Sequence, residues 1–140
     1  MSVGELTEEV RAFLESMRVP GVLATLSPKG GPVTSAVWFG LHEGDIVIST
    51  PADRQKARNA RLDGRVSFVV DTKEMPYRGV AIEGVAEVIE DPERLYVRSI
   101  AHRYVGPDLP PATRERIERS ERVVLRIRPR RVRPWNLEHS

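Results

Sequence analysis

Four cations crowd one short segment of this 140-residue chain. The stretch STPADRQKARNARLDG, Ser49 to Gly64, ends a strand and opens a helix, with Asp53 a good N-cap and Gly64 a good stop. Arg54, Lys56, Arg58 and Arg61 lie between them, and no acid follows the cap within the helix. A helix N-terminus already carries about half a positive charge, so cations in its first turn cost a few tenths of a kcal/mol each. An anion reverses that balance. Free N–H groups at a helix start, beside Arg and Lys side chains, bind phosphate or carboxylate well. The plainer alternative is a solvated basic helix whose arginines pair with acids elsewhere.

Other chemistries find little support in the residue types. There is no cysteine, which removes disulfides, thiolate nucleophiles and cysteine-ligated metals. His42, His102 and His139 are scattered without metal-ligand spacing, and no metal site is expected. No Ser-His-Asp set, paired carboxylates, G-x-G-x-x-G or P-loop is present. The apolar runs are far short of a membrane span and the N-terminus lacks a signal-like apolar segment, so a soluble cytoplasmic protein without a membrane partner is expected. Net charge is only +2, yet nine arginines and three glutamates lie between Arg114 and Arg133. That run motivates a nucleic-acid binder. Against it, the helical arginines alternate with glutamates and only Trp135 stands nearby, so the aromatic interleaving of single-strand binders is missing.

The elements that must position the basic segment can be read from periodicity. ELTEEVRAFLESM places Leu6, Val10, Phe13, Leu14 and Met17 on one helical face, with Glu8 and Glu9 suited to the first turn. Strand character follows over Val22–Ser27, Val33–Leu41 and Ile46–Thr50, separated by the turns SPKGGP and HEGD, which makes an antiparallel meander. After the basic helix come a fourth strand, RVSFVVDT, and a fifth, VAIEGVAEVIE, in which Gly84 marks a bulge or close approach. Two helices span residues 91–121, the first with Leu95, Ile100 and Val105 as its clearest apolar positions. RVVLRIR reads as a sixth, half-buried strand, with Val123, Leu125 and Ile127 on one face. Residues 1–18, the helical connection 91–121 and the tail 122–135 thus belong to one domain, 1–140, with no linker or repeat.

The segments GVLATLSPKGGPVTSAVWF, IVISTPADRQKARNARLDGRVSFVVD and AIEGVAEV resemble, in order and spacing, the pyridoxamine 5′-phosphate oxidase-like split β-barrel superfamily. They look most like its branch of flavin/deazaflavin-dependent oxidoreductases that use coenzyme F420. The similarity is close over residues 19–90 and looser through ERVVLRIRPRRVRPW. It implies an α+β, mostly β fold: a six-stranded antiparallel split β-barrel of Greek-key type with peripheral helices, forming a homodimer. It also implies a cofactor in a groove at the dimer interface, either coenzyme F420 or, alternatively, FMN. Carried over residue by residue, Arg54, Lys56 and Arg58 would hold the cofactor phosphate. Ser49, Thr50 and Pro51 would line the ribityl chain. Thr34, Ser35, Ala36 and Trp38 would approach the ring, although Val33 and Ala36 stand where some relatives carry amides. Tyr77 and Arg78 would reach the partner's groove. Outward arginines such as Arg126 and Arg128 could neutralise a glutamate tail.

The implied activity is hydride transfer between reduced deazaflavin and a small conjugated organic substrate. The cofactor carries that chemistry, so no side chain is assigned as a catalytic acid or base. The alternatives are an FMN-dependent oxidase or reductase and a non-catalytic flavin-binding protein. By residue type alone, Trp38 reads as a core or dimer contact, and His102 and Tyr104 as helix-surface or interface residues. Trp135 could cap the groove or anchor the tail, and Glu83 should pair with an arginine.

Overall fold

The computed structural model describes residues 4–137; His139 and the first three residues of the expected N-terminal helix lie outside them. Helix α1 (Glu8–Ser16) starts later than expected, because the Thr7 hydroxyl caps it by accepting from the Val10 N–H at 3.2 Å; Glu8 and Glu9 occupy the first turn as expected. It buries Val10, Phe13 and Leu14. The chain then forms β1 (Gly21–Leu26), β2 (Pro32–Val37), β3 (Gly40–His42) and β4 (Asp45–Pro51). Helix α2 (Gln55–Leu62) leads to β5 (Arg65–Asp71) and β6 (Gly79–Glu90), and helices α3 (Leu95–Val105) and α4 (Pro111–Arg119) precede β7 (Arg122–Trp135).

Seven strands therefore replace the expected six, and they form one unclosed antiparallel sheet in the order β2-β1-β5-β6-β7-β4-β3. The extra strand comes from a break within Val33–Leu41. Trp38 and Phe39 leave β2, and the chain resumes as β3 on the far edge of the sheet. Two edge strands joined by two residues require the sheet to curl on itself. Phe39 makes the break favourable: it is fully buried and meets Phe68 edge to face at 5.3 Å. Leu23, Ile46, Ile48, Ile82, Leu125 and Ile127 fill the concave side around it, and α1 covers one end.

The bulge falls between Glu83 and Gly84, where any side chain on Gly84 would lie 2.6 Å from the Arg128 carbonyl. Glu83 pairs with Arg133 at 3.6 Å, as its residue type leads one to expect. Strand β7 is twice the length of the apolar alternation RVVLRIR because Pro129 falls at this bulge, where a missing N–H is tolerated.

Helix α3 differs from its sequence reading. It buries Val97, Ile100 and Ala101, whereas Leu95 is 64% exposed and Val105 also faces outward. Its rotation is set by polar anchors. The Asp91 carboxylate accepts from the Tyr96 and Val97 N–H groups, and the Tyr104 hydroxyl accepts from Phe39 N–H at 3.2 Å and donates to the Val19 carbonyl at 3.0 Å. Tyr104 is thus half-buried against the core and stacked on Trp38 at 4.7 Å, rather than a helix-surface residue. His102 does remain exposed. No helix among the described residues is long and apolar enough to cross a membrane.

Candidate functional site

Strand β4 delivers the chain to α2 through Pro51–Arg54, and this junction is where unpaired positive charge collects. The helix begins one residue later than the Asp53 cap implied: Arg54 is the N-cap, and no side chain caps the helix. Asp53 instead lends its backbone carbonyl to the Arg58 guanidinium, while the Ala52 carbonyl accepts from Arg61 at 2.9 Å. Two of the four cations thus brace the loop before the helix. The first turn keeps undercapped N–H groups with Arg54 and Lys56 beside them.

Lys56 is half-buried. Burial pushes its ammonium below the ordinary lysine range, and the charges of Arg54 and Arg122 push it the same way. Arg122, the first residue of β7, is disfavoured as a cation by burial and by Arg116, Arg54 and Arg94, with Asp91 a smaller opposing influence. Its Nε donates to the Ser49 hydroxyl at 3.3 Å. Neither Lys56, Arg54 nor Arg122 has a carboxylate within ion-pair distance among the described residues. Half-buried Lys56 and Arg122, with exposed Arg54 beside them, carry a charge suited to an anionic ligand.

Ser49, Arg54 and Lys56 therefore gather with Arg122, which local spacing groups only with the arginine-rich tail. The signal that would find it is the pairing of Pro51 with Arg122 across β4 and β7, a long-range register. Thr50 is buried and donates to the Pro51 carbonyl at 3.3 Å, and Pro51 is half-buried at the strand end. The outward Arg126 is not available to a ligand tail: Asp45 holds it at 2.7 Å and Glu43 at 3.6 Å.

The remaining candidates lie elsewhere on the sheet. Thr34 and Ala36 project from the outer face of edge strand β2, whereas Ser35 points to the opposite face, opposite buried Leu23. Ala36, Val22, Val69 and Ala81 stand in register across four strands as a largely apolar row. Alongside it, Ala24, Leu26, Pro32, Ser67 and Val85 line an open cavity of about 390 Å³. Trp38 is 37% exposed, with one face covered by Tyr104. Tyr77 and Arg78 sit at the far end of β5 from α2, with Arg78 over the Phe13 ring at 5.7 Å. Trp135 lies on Gly79, where an added Cβ would meet its ring at 2.4 Å, so it anchors the tail.

The architecture is shared with solved proteins. A conserved hypothetical protein from Mycobacterium tuberculosis is 34% identical, covers 98% of this chain and 89% of its own, and superimposes with a TM-score of 0.79. An F420 reductase is 27% identical over 86% of this chain and 94% of its own, with a TM-score of 0.72. A heme binding protein from Mycobacterium smegmatis is 30% identical over 91% of this chain but only 52% of its own, with a TM-score of 0.68. No curated protein matches the chain. Residues 6–136 match the family described as pyridoxamine 5'-phosphate oxidase. With the curled antiparallel sheet and the cation cluster at its end, this match makes the chain a member of the pyridoxamine 5'-phosphate oxidase family.

Proposed function

We propose that the chain is a homodimeric oxidoreductase that passes hydride between reduced coenzyme F420 and a small conjugated organic acceptor. The observation that carries this reading is the cluster of half-buried Lys56 and Arg122 with exposed Arg54, none in an ion pair among the described residues, at an uncapped helix start. These residues fit a phosphate. The ammonium and guanidinium groups neutralise it, the free N–H groups of the first turn of α2 donate to it, and the Ser49 hydroxyl supplies a further contact. Arg58 supports the same site by holding the Asp53 carbonyl, and its remaining nitrogens face solvent for a second phosphate oxygen or an acidic tail. Thr50 and Pro51 shape the wall beside it.

A bound deazaflavin supplies the hydride; the chain's own residues bind, orient and exclude water. In this reading the ring lies over the outer face near Thr34, Ala36 and Trp38, with Ser35 supporting the strand from behind. A second copy covers the apolar row Ala36–Val22–Val69–Ala81, and its Tyr77 and Arg78 equivalents approach the groove. The separation of Tyr77 from α2 by the length of β5 favours a contribution across the dimer rather than within one protomer. Deazaflavin is preferred over FMN because its phosphodiester and glutamate tail suit several cations, and because an F420 reductase is among the similar structures. Haem finds less support at one of the two histidines among the described residues: His42 turns its Nε2 to Glu43 at 3.0 Å.

Parallel fluorescence titrations with coenzyme F420 and FMN test the reading, alongside sedimentation to count subunits. Tighter binding of F420 to a dimer is expected. Preferential FMN binding would replace the coenzyme, and binding of neither would remove the function.

A further inference from the structure

Towards the β3–β4 hairpin, α3 leaves a cleft of about 280 Å³ against the sheet. Its walls include Leu41, Val47 and Ile100, and Arg18 and Arg103 stand at its edge. Val124, which pairs with Ser49, is fully buried against Val47 and Ile100, so packed apolar side chains lie between this cleft and the Lys56 cluster.

The two arginines are held in place but not neutralised. Arg103 donates to the Leu14 and Met17 carbonyls and lies over the Phe39 ring at 4.9 Å, while its Nε is buried with no hydrogen-bond partner. Arg18 folds back onto the Glu15 and Met17 carbonyls. Neither has a carboxylate within ion-pair distance among the described residues. Burial and the charge of Arg18 both disfavour the Arg103 cation, and Glu15 offsets this least of the groups around it. Tyr96 and His42, edge to face at 5.5 Å, add aromatic surface, and Ser99 adds a hydroxyl at the mouth.

We propose that this cleft is a second ligand site, distinct from the phosphate cluster, which takes a small carboxylic acid with its carboxylate between Arg18 and Arg103. Guanidinium groups fixed by backbone carbonyls present planar donors suited to a carboxylate. The apolar wall of Leu41, Val47 and Ile100 suits a hydrocarbon or aromatic body rather than a bare inorganic anion. The volume lies just below the roughly 300–1,000 Å³ of ligand pockets, which limits the acid to a small one.

Benzoate is the probe, with benzamide as its uncharged counterpart and inorganic phosphate as an anion without a body. Amide resonances of the protein, followed by NMR during titration, should shift saturably with benzoate at Gly40, Ser99 and Arg103, and little with the two controls. Arg18→Gln, at an exposed position, should weaken benzoate by roughly tenfold or more while the melting temperature holds. Ser99→Phe, which fills the mouth, should abolish binding in a folded protein. Absence of saturable benzoate binding, equal binding of benzamide or phosphate, shifts centred on Ser49 and Lys56, or full affinity in Arg18→Gln would each overturn the assignment. All of these readouts are independent of redox activity.

Discussion

The two ends of strand β4 carry basic side chains in opposite circumstances. Near its start, Arg126 is clamped by Asp45 at 2.7 Å and approached by Glu43 at 3.6 Å. Past its end, Arg54, Lys56 and Arg122 repel one another, and no carboxylate among the described residues lies within ion-pair distance. One cation faces two carboxylates at the start, whereas three cations have none within ion-pair distance past the end. A paired arginine has its charge satisfied by the fold and contributes to stability. A half-buried, unpaired lysine costs stability until an anion arrives, and that cost becomes affinity. Arginine density in the sequence therefore says less about ligand binding than the absence of nearby acids does.

Lys56→Ala attacks the unpaired end and should have the largest effect. Loss of one charge-assisted contact weakens coenzyme binding by about 1.5–3 kcal/mol, measured by fluorescence titration, with the unliganded protein no less stable. Asp45→Asn attacks the paired end. It should lower unfolding stability in urea by about 1–2 kcal/mol, because Arg126 loses its nearer counter-ion and keeps only Glu43, while coenzyme affinity stays near wild type. Should Asp45→Asn instead cost coenzyme affinity and leave stability intact, the contrast between the two ends would fail.

Raising the pH should sharpen the same contrast. The folded-state pKa of Lys56 lies below the ordinary lysine value of 10.5, so the unfolded chain holds the proton more tightly. In the window between the lowered pKa and 10.5, the unliganded protein should gain stability from this group as pH rises. Coenzyme affinity should fall over the same window, since the bound phosphate needs the charged form. Opposite signs in melting and binding experiments identify Lys56; parallel signs would point to another group. A smaller effect is expected from Arg58→Ala, whose guanidinium is already engaged by the Asp53 carbonyl: a loss of at most about 1 kcal/mol in coenzyme binding. Arg119→Ala, in an exposed pair with Glu115 at 3.2 Å, should change stability by no more than about 0.5 kcal/mol and affinity not at all.

Much of this arrangement is legible in the order of residues. The amphipathic first helix, the hairpin turns, the bulge at Gly84 and the basic start of α2 follow from residue type and short-range spacing, because turns and periodicity act within a few residues. The Asp53 cap misses by one position, since Arg58 takes the Asp53 carbonyl and the helix opens at Gln55. The buried face of α3 is not legible in this way, because Tyr104 and Asp91 orient the helix through partners that local periodicity does not contain.

By itself, the order of apolar, turn and basic residues determined that an antiparallel sheet would lead into a cationic helix start. Tertiary structure alone decided that Val33–Leu41 breaks at Trp38–Phe39 into two edge strands, because Phe39 gains full burial only if the sheet curls. It alone also decided which arginines remain available. Arg122 joins Lys56 and Arg126 is taken by Asp45 through strand pairings that bring together residues some 70 to 80 positions apart, and charge neutralisation depends on distance in space rather than along the chain.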